Sequence, residues 1–178
     1  MTFEDPRVIR TQSMLKEALL SLLLEGNQLH QLSVQKVTKQ AKLNRTTFYL
    51  HYQDLEDLQQ QMTEEILQQL TIKIYMPMNE KYSSRQEQVV DLLQYLKQKW
   101  TLVSALSQKT ALERHLFMLF KEVILTRRSH PIKPKRDFYI DSDVKTASII
   151  GVIMWWLEYE NQLSAPTIAK QIELMNKH

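Results

Sequence analysis

The chain has 178 residues, enough for one sizeable core or for a small domain joined to a larger one. Hydrophobic residues make up 43% of it, with only two glycines and five prolines, a composition typical of an ordered, mostly helical protein. A formal net charge of +3 argues against a non-specific coat on nucleic acid, so basic character must be local. The absence of cysteine excludes disulfides and thiolate metal sites.

The N-terminal residues, MTFEDPRVIR, do not form a signal-peptide pattern. The longest uncharged apolar run, residues 146–157, is too short to span a bilayer. We therefore expect a soluble cytoplasmic protein that does not bind membranes.

The first predicted helix has Asp5 as its N-cap and Pro6 as its first residue. Apolar residues recur at helical spacing as far as Leu23, and Gly26 is expected to end the helix. Arg7 and Arg10, near its start, could contact a nucleic-acid backbone, although arginines in such positions are more often merely solvated.

Residues 32–58 predict two short helices, a tight turn and the start of a long helix. Ser33 is expected to cap the first short helix, and Asn44 to cap the second, which runs from Arg45 to about His51. Asp54 is expected to cap the long helix. A helix, a short turn and a second helix form the arrangement of the DNA-reading helix-turn-helix.

The charge of this segment also favours nucleic acid as a partner. From Ser33 to Gln53 it has four basic residues and no acidic one. Hydroxyl and guanidinium groups can hold phosphates or reach base edges. The alternative is an ordinary pair of helices with a solvated basic face. The predicted DNA-binding residues are Ser33, Lys36, Lys42, Asn44, Arg45, Thr46, Thr47, Tyr49 and His51.

The run Thr47-Phe48-Tyr49-Leu50-His51-Tyr52, with the capped helix before it and Asp54-Leu55-Glu56-Asp57-Leu58 after it, resembles the signature of TetR/AcrR-family transcriptional regulators. This resemblance covers about the first third of the chain. It implies that Arg45, Thr46 and Thr47 lie at the DNA groove, and that Tyr49 and His51 hold the phosphate backbone.

Two residues depart from the pattern of that family. Lys42 stands where glycine is common, so it must adopt a left-handed or strained conformation at a cost on the order of 1 kcal/mol. Leu55 stands where a lysine often begins the fourth helix, which removes one expected phosphate contact.

The helix that begins at Asp54 is predicted to leave the small domain and enter a larger helical one. The predicted domains are therefore 1–53, a helix-turn-helix DNA-binding domain, and 54–178, a ligand-binding and dimerisation domain. Pro77 should end the connecting helix before a polar loop at 79–85. Further helices are expected at 89–100, 111–127 and 165–175, with 102–106 as a link or a turn of helix and a basic loop at 127–136.

Asp141, Ser142 or Asp143 is predicted to cap a helix that is apolar nearly all round from Ala147 to Leu157. We expect one of its faces to meet the subunit's own core and another to meet a second copy of the chain. The alternative is a central core helix of a monomer. Residues 149–172, IIGVIMWWLEYENQLSAPTIAKQI, more weakly resemble the end of the C-terminal domain in a TetR subgroup. This resemblance implies a four-helix dimer interface of residues 110–127 and 143–161, and the predicted interface residues are Phe117, Ile150 and Met154.

A small apolar effector is a further expected partner of the second domain. Its predicted pocket residues are Met62, Trp100, Met118 and Trp155, although such residues at helical spacing are more often plain core. By the resemblance, an effector would favour a conformation whose two recognition helices no longer match the operator.

No cofactor, metal site or catalytic activity is expected. The five histidines have no paired spacing, two glycines leave no phosphate-binding loop, and nucleophile motifs are absent. The predicted fold is all-α, with a three-helix N-terminal domain joined by a long helix to a helical C-terminal domain. We predict a homodimeric, ligand-responsive repressor that binds a palindromic operator in double-stranded DNA. The alternative is a TetR-like module that acts through a partner protein, without effector response or with lost DNA binding.

Overall fold

The computed structural model describes residues 5–75, 84–106, 108–127, 136–159 and 163–176. Within these ranges the chain forms eight α-helices, one short 3-10 helix at Leu29–Gln31 and no strand, which confirms the predicted all-α fold. The helices are α1 (Pro6–Leu24), α2 (Val34–Gln40), α3 (Arg45–Tyr49), α4 (Leu55–Tyr75), α5 (Arg85–Ala105), α6 (Lys109–Arg127), α7 (Arg136–Glu158) and α8 (Ala165–Asn176).

The chain divides into two compact units, residues 1–66 with 102–108 and residues 67–101 with 109–178. The sequence instead predicts a boundary after residue 53. The difference arises because the first turns of α4 bury Leu55, Leu58 and Met62 in the same core as α1, and Leu106 joins them from the end of α5. The assignment of DNA binding and ligand binding to separate domains remains a prediction.

The first unit has its core between α1, α2, α3 and the beginning of α4. The side chain of Asp5 accepts a hydrogen bond from the Arg7 amide at 2.9 Å, and Pro6 is the first helical residue, as predicted. Gly26 follows α1 with a φ of +91°, the left-handed conformation that glycine adopts without strain. The fully buried side chains of this core include Leu15, Leu19, Val37, Phe48 and Leu58.

In the second unit, α6 and α7 run antiparallel to each other. Lys109 Nζ lies 3.2 Å from Glu158 Oε1, and Lys121 Nζ lies 2.7 Å from Asp143 Oδ1, so the start of one helix meets the end of the other. The core residues of this unit include Leu93, Leu96, Leu112, Leu116, Ile149 and Ile153.

Helix α5 continues to Ala105, which is the turn-of-helix alternative expected for residues 102–106. The predicted start of the following apolar helix is wrong, because α7 begins at Arg136. Asp141, Ser142 and Asp143 therefore lie inside α7 and do not cap it. Short polar residues favour helix starts because their side chains bond nearby backbone, but Ser142 is fully buried here and its carbonyl accepts from Thr146 Oγ1 at 2.7 Å.

Some predictions fall on other parts of the chain. Pro77, most of the polar loop at 79–85 and most of the basic loop at 127–136 lie outside the described residues. Among the helices of the described ranges, none is both long enough and apolar enough to cross a membrane.

Candidate nucleic-acid interface

Helix α2 begins as the sequence predicts. Ser33 is extended, with φ −130° and ψ 154°, and its Oγ accepts a hydrogen bond from the Lys36 amide at 3.2 Å. This satisfies one of the amides that a helix start leaves without a backbone acceptor. Val37 and Thr38 are buried on the inner side of the helix. The outer side, which includes Lys36, remains exposed.

The turn after α2 depends on Lys42, the one described non-glycine residue with a positive φ, which is +56°. The Lys42 amide donates to the Lys39 carbonyl at 3.1 Å, and the Leu43 amide donates to the Thr38 carbonyl at 2.8 Å. These two bonds form a Schellman motif, which closes a helix through one left-handed residue. The expected left-handed conformation of Lys42 is therefore confirmed.

Helix α3 is short, and a side chain caps its start, where Asn44 Oδ1 accepts from the Thr46 amide at 2.6 Å. Helix α3 ends at Tyr49, two residues before the predicted end. Asp54 caps the start of the next helix, α4: its Oδ1 accepts from the Asp57 amide at 2.8 Å, and Asp57 Oδ2 accepts from the Gln53 amide at 2.8 Å.

An aromatic pair attaches the inner side of α3 to the core. Phe48 and Tyr52 are both buried, and their ring centroids are 5.6 Å apart. Burial, and after it the negative charges of Glu65 and Asp57, together raise the pKa of Tyr52 from 10.0 to about 12. The Tyr52 hydroxyl has no hydrogen-bond partner among the described residues.

The outer side of α3 exposes a row of four residues. Arg45 and Thr46 are exposed, and Tyr49 and Leu50 follow them at a spacing of four, with exposed fractions of 52% and 76%. Residues four apart share one side of a helix, so these four side chains form one surface. We call Arg45, Thr46, Tyr49 and Leu50 the α3 face.

The other predicted DNA-binding residues lie around the α3 face in different roles. Thr47 and His51 are half-buried, so each has less surface to offer than the residues of the α3 face. Ser33 and Asn44 are exposed but use their side chains as helix caps. Lys36 Nζ donates to Asn27 Oδ1 at 2.8 Å.

Leu50 is missing from the residues that the sequence predicts for this interface. It is the most exposed large hydrophobic residue of the described chain. The sequence could have predicted Leu50 as an interface residue, because it follows Thr46 by four positions and residues at that spacing share one side of a helix. Leu55 is only 6% exposed, so it belongs to the core and offers no group to a phosphate.

The predicted pocket residues belong to both units. Met62 is buried in the first unit, whereas Met118 and Trp155 belong to the second and are 64% and 45% exposed. Trp100 is half-buried, with Lys109 Nζ 5.0 Å from its ring centroid. None of the four lines the pocket of the second unit described below, and the pocket predicted from them stays a prediction. The sequence predicted residue type but not the rotation of each helix about its axis.

The predicted interface residues need one correction. Ile150 is 2% exposed within its own chain, so it is a core residue and not part of a surface for a second copy. Phe117 and Met154 are half-buried. Among the described side chains of α7, the exposed ones are Val144, Ala147, Ser148, Gly151, Trp155 and Glu158.

A pocket with a volume of about 520 Å³ lies within the second unit, at a place that the sequence did not predict. Its lining comes from α4, α5, α6, α7 and α8 and includes Ile74, Leu92, Phe120, Ile149 and Ile172 together with Lys73, Arg85, Lys145 and Glu173. Nowhere in the described ranges do three or more His, Cys, Asp or Glu side chains gather as a metal site would require.

Comparison with known proteins identifies the fold. No family model matches the chain. It is 36% identical over 72 residues to an uncharacterised HTH-type transcriptional regulator, YxbF, of Bacillus subtilis (strain 168), a match that covers 38% of this chain. The chain spans only 19% of the length of that relative.

Solved structures resemble the chain over nearly its whole length. A TetR transcriptional regulator from Streptococcus agalactiae 2603V has a TM-score of 0.65 at 20% identity, covering 96% of this chain and 95% of its own. The dihydroxyacetone kinase operon activator DhaS has a TM-score of 0.63 at 19% identity, with 94% of both chains covered. The fatty acid degradation regulator FadR from Bacillus halodurans has a TM-score of 0.61 at 16% identity, covering 98% and 97%.

These likenesses confirm the resemblance that the sequence predicts. The chain has the fold of the TetR/AcrR-type transcriptional regulators, with a helix-turn-helix in its first unit. Each of the proteins named above is called a regulator or an activator, and none is called an enzyme.

Proposed function

We propose that the chain is a sequence-specific DNA-binding transcriptional regulator that acts as a homodimer. The observation that carries the proposal is the α3 face, which presents three hydrogen-bonding residues and one leucine on a helix capped by Asn44, in a segment without acidic residues. A helix that is held in a defined position suits major-groove reading, because register and orientation must be set before base edges can be distinguished.

Each residue of the α3 face has a proposed role. Arg45 and Thr46, at the start of the helix, would reach base edges, and Tyr49 would donate its hydroxyl to a phosphate. Lys42 is exposed at the preceding turn and would add a phosphate contact. Leu50 has no polar group, so its proposed contact is the methyl group of a thymine, the apolar feature of the major groove.

The proposed dimer uses the exposed apolar side of α7. Val144 and Trp155 are 59% and 45% exposed, and Gly151 lies between them. Of the described residues, none outside its own helical turn comes within 4 Å of the place where a Cβ atom would stand on Gly151. A helix of a second copy could therefore approach closely. We call Val144, Ala147, Ser148, Gly151 and Trp155 the α7 stripe.

Helix α6 extends this proposed dimer surface. Its contacts with α7 place Met118 at the level of residues 146–149, and Met118 is 64% exposed. Two antiparallel helices with exposed apolar residues at the same level can pair with their counterparts as a four-helix bundle. A dimer is also what operator specificity demands, since one small module makes too few base contacts.

The test of the dimer is Trp155→Arg, which places a charge in the proposed interface. We expect the variant to be monomeric by analytical ultracentrifugation while its far-UV circular dichroism stays unchanged. The control is Leu174→Arg on α8, which is also exposed, at 46%, but lies outside the α7 stripe. A wild-type monomer, or equal effects of both substitutions, would remove the α7 stripe as the interface.

The direction of regulation is a separate matter. A repressor that occupies its operator is the simplest outcome of binding, but DhaS, which has the same fold, is called an operon activator. The alternative function is a module that acts through a partner protein. Leu55 supports this alternative, because it is buried where a lysine was expected and one phosphate contact is therefore missing.

The test of DNA binding is selection of an operator from random duplexes. We expect a palindrome with two half-sites, because a two-fold dimer presents two copies of α3. Arg45→Ala should cost roughly 1–3 kcal/mol and relax the preference at one base pair of each half-site. Leu50→Ala should relax a preference for thymine. Binding without any preferred sequence would favour the partner-protein alternative.

A further inference from the structure

The pocket of the second unit has an apolar floor and a polar rim. Its volume of about 520 Å³ falls within the range of small-molecule sites, roughly 300–1,000 Å³. The floor consists of side chains that are almost fully buried, among them Leu92, Ile149 and Ile172. Ser84, Arg85 and Gln86 are exposed lining residues and form part of the rim. A ligand that fits both regions is amphipathic.

The charges around the pocket are unequal. The lining includes three cationic side chains, Lys73, Arg85 and Lys145, and one carboxylate, Glu173. Lys73 Nζ is already paired with Asp91 Oδ2 at 2.7 Å. Counting Asp91 with the lining therefore still leaves a positive sum, and an anionic group would be favoured over a cationic one.

The backbone of α5 adds to this preference. Ser84 Oγ accepts from the Glu87 amide at 3.2 Å, so Ser84 caps the helix. The amides of Arg85 and Gln86 precede the first intrahelical hydrogen bonds, and both residues line the pocket. The start of a 21-residue helix carries partial positive charge. Glu87 shares this first turn and opposes it in part, but it does not line the pocket.

We propose that this pocket binds an amphipathic anion, with an apolar body against Leu92, Ile149 and Ile172 and a carboxylate at the rim beside Arg85. This class differs from the purely apolar effector that the sequence predicts. The role of this ligand as an effector of DNA binding rests on the proposed function, whereas its binding to the pocket does not.

The test compares three probes with the same apolar body and different head groups: decanoate, decanol and decylammonium. Each is titrated into the full chain by calorimetry, below the concentration at which the probe aggregates. We expect decanoate to bind more tightly than decanol, and decylammonium to bind most weakly. Equal affinity for all three probes, or binding of none, would overturn the proposal.

Substitution of Arg85 locates the head group. Arg85→Gln should weaken the binding of decanoate about two- to fivefold, the size expected for an exposed ion pair. The affinity for decanol should stay unchanged. Arg114→Gln is the matched control, because Arg114 is exposed on α6 and does not line the pocket. If both substitutions weaken decanoate equally, the effect is one of net charge and the rim is not the head-group site.

Ala169→Leu locates the apolar body. Ala169 is a buried lining residue, so a larger side chain there should fill part of the pocket and weaken both decanoate and decanol. Unchanged affinity for both in a folded variant would overturn the location. Should this buried position not tolerate leucine, the comparison of head groups on the unmodified chain still decides the ligand class.

The effector role has its own readout, the affinity of the selected operator with and without decanoate. A change in operator affinity supports the effector role. Decanoate that binds the protein and leaves operator affinity unchanged overturns that role alone. A chain that binds decanoate and no DNA overturns the proposed function and leaves the ligand site standing.

Discussion

The two compact units present opposite kinds of exposed helix surface. In the first unit, α3 exposes arginine, threonine and tyrosine side chains on a helix whose start and following turn are held by Asn44 and Asp54. In the second, α7 exposes an apolar stripe around Gly151 and Trp155, next to a core of isoleucines. Polar surface fixed by hydrogen bonds suits the reading of a polar groove, and exposed apolar surface suits burial against a partner.

The two surfaces also differ in how each is held in place. The turn and the cap that precede the α3 face use bonds between residues at most five apart in the chain, such as Leu43 to Thr38, and buried Phe48 attaches the helix to the core. The α7 stripe depends on which side of α7 the rest of the unit covers. Substitutions in and around α3 should therefore distinguish the contribution of local backbone geometry to stability from that of core packing.

Phe48→Ala should have the largest effect, because it removes the buried ring that attaches α3 to the core of the first unit. We expect a loss of about 3–5 kcal/mol in the free energy of unfolding, measured by chemical denaturation. The matched control is Tyr49→Ala, the adjacent ring, which is 52% exposed and should change stability by about 0.5 kcal/mol or less. Equal losses would show that α3 is not packed as described.

Lys42→Gly should raise stability by about 1 kcal/mol, because glycine adopts a φ of +56° without the strain that a Cβ atom causes. The same substitution removes one proposed phosphate contact, so the salt dependence of DNA binding should become shallower by about one charge. Lys39→Gly is the control. It lies within α2 and should be destabilising by roughly 0.5–1 kcal/mol. A destabilised Lys42→Gly variant would contradict the account of the turn.

Tyr52→Phe should have the smallest effect near neutral pH, because the hydroxyl that it removes has no partner among the described residues. In the folded chain, burial and the nearby carboxylates of Glu65 and Asp57 raise the pKa of Tyr52 from 10.0 to about 12. The Tyr52 hydroxyl therefore keeps its proton up to a higher pH in the folded state than in the unfolded state. The resulting stabilisation is present below pH 10.0 and is lost as pH rises through about 12.

The measurement is the free energy of unfolding as a function of pH over this alkaline range. Tyr52→Phe should lose stability less steeply than the wild type. Tyr159→Phe, which removes the hydroxyl of an exposed tyrosine, should follow the wild-type curve. If the free energies of unfolding of Tyr52→Phe and of the wild type fall in parallel as pH rises, ionisation of the Tyr52 hydroxyl does not cause the loss of stability.

The helix-turn-helix could be predicted from the sequence because its signals are local. Ser33, Asn44 and Asp54 each cap a helix within three residues of themselves, and Lys42 had to be left-handed for the turn to close. Capping depends on residue type and spacing, both of which the sequence displays.

The surfaces of the second unit could be predicted only in part. The apolar character of α7 was evident, but Ile150 faces inward and Trp155 outward, and nothing within α7 alone determines that rotation. The pocket draws on five helices, so its lining is a property of tertiary packing and not of any one segment. Ser142 could not be placed from local sequence either, because its burial in the core overrides the preference of serine for a helix start.

The most direct test of the central claim is the salt dependence of binding to the selected operator, for the wild type, Arg45→Ala and Lys170→Ala. Arg45 lies in the α3 face, and Lys170 is an exposed basic residue of α8, outside the α3 face and the α7 stripe. We predict a steep loss of affinity with salt for the wild type, a weakening of roughly 1–3 kcal/mol for Arg45→Ala, and no change for Lys170→Ala. Equal weakening by both substitutions, or binding that does not depend on salt, would contradict DNA recognition by the α3 face.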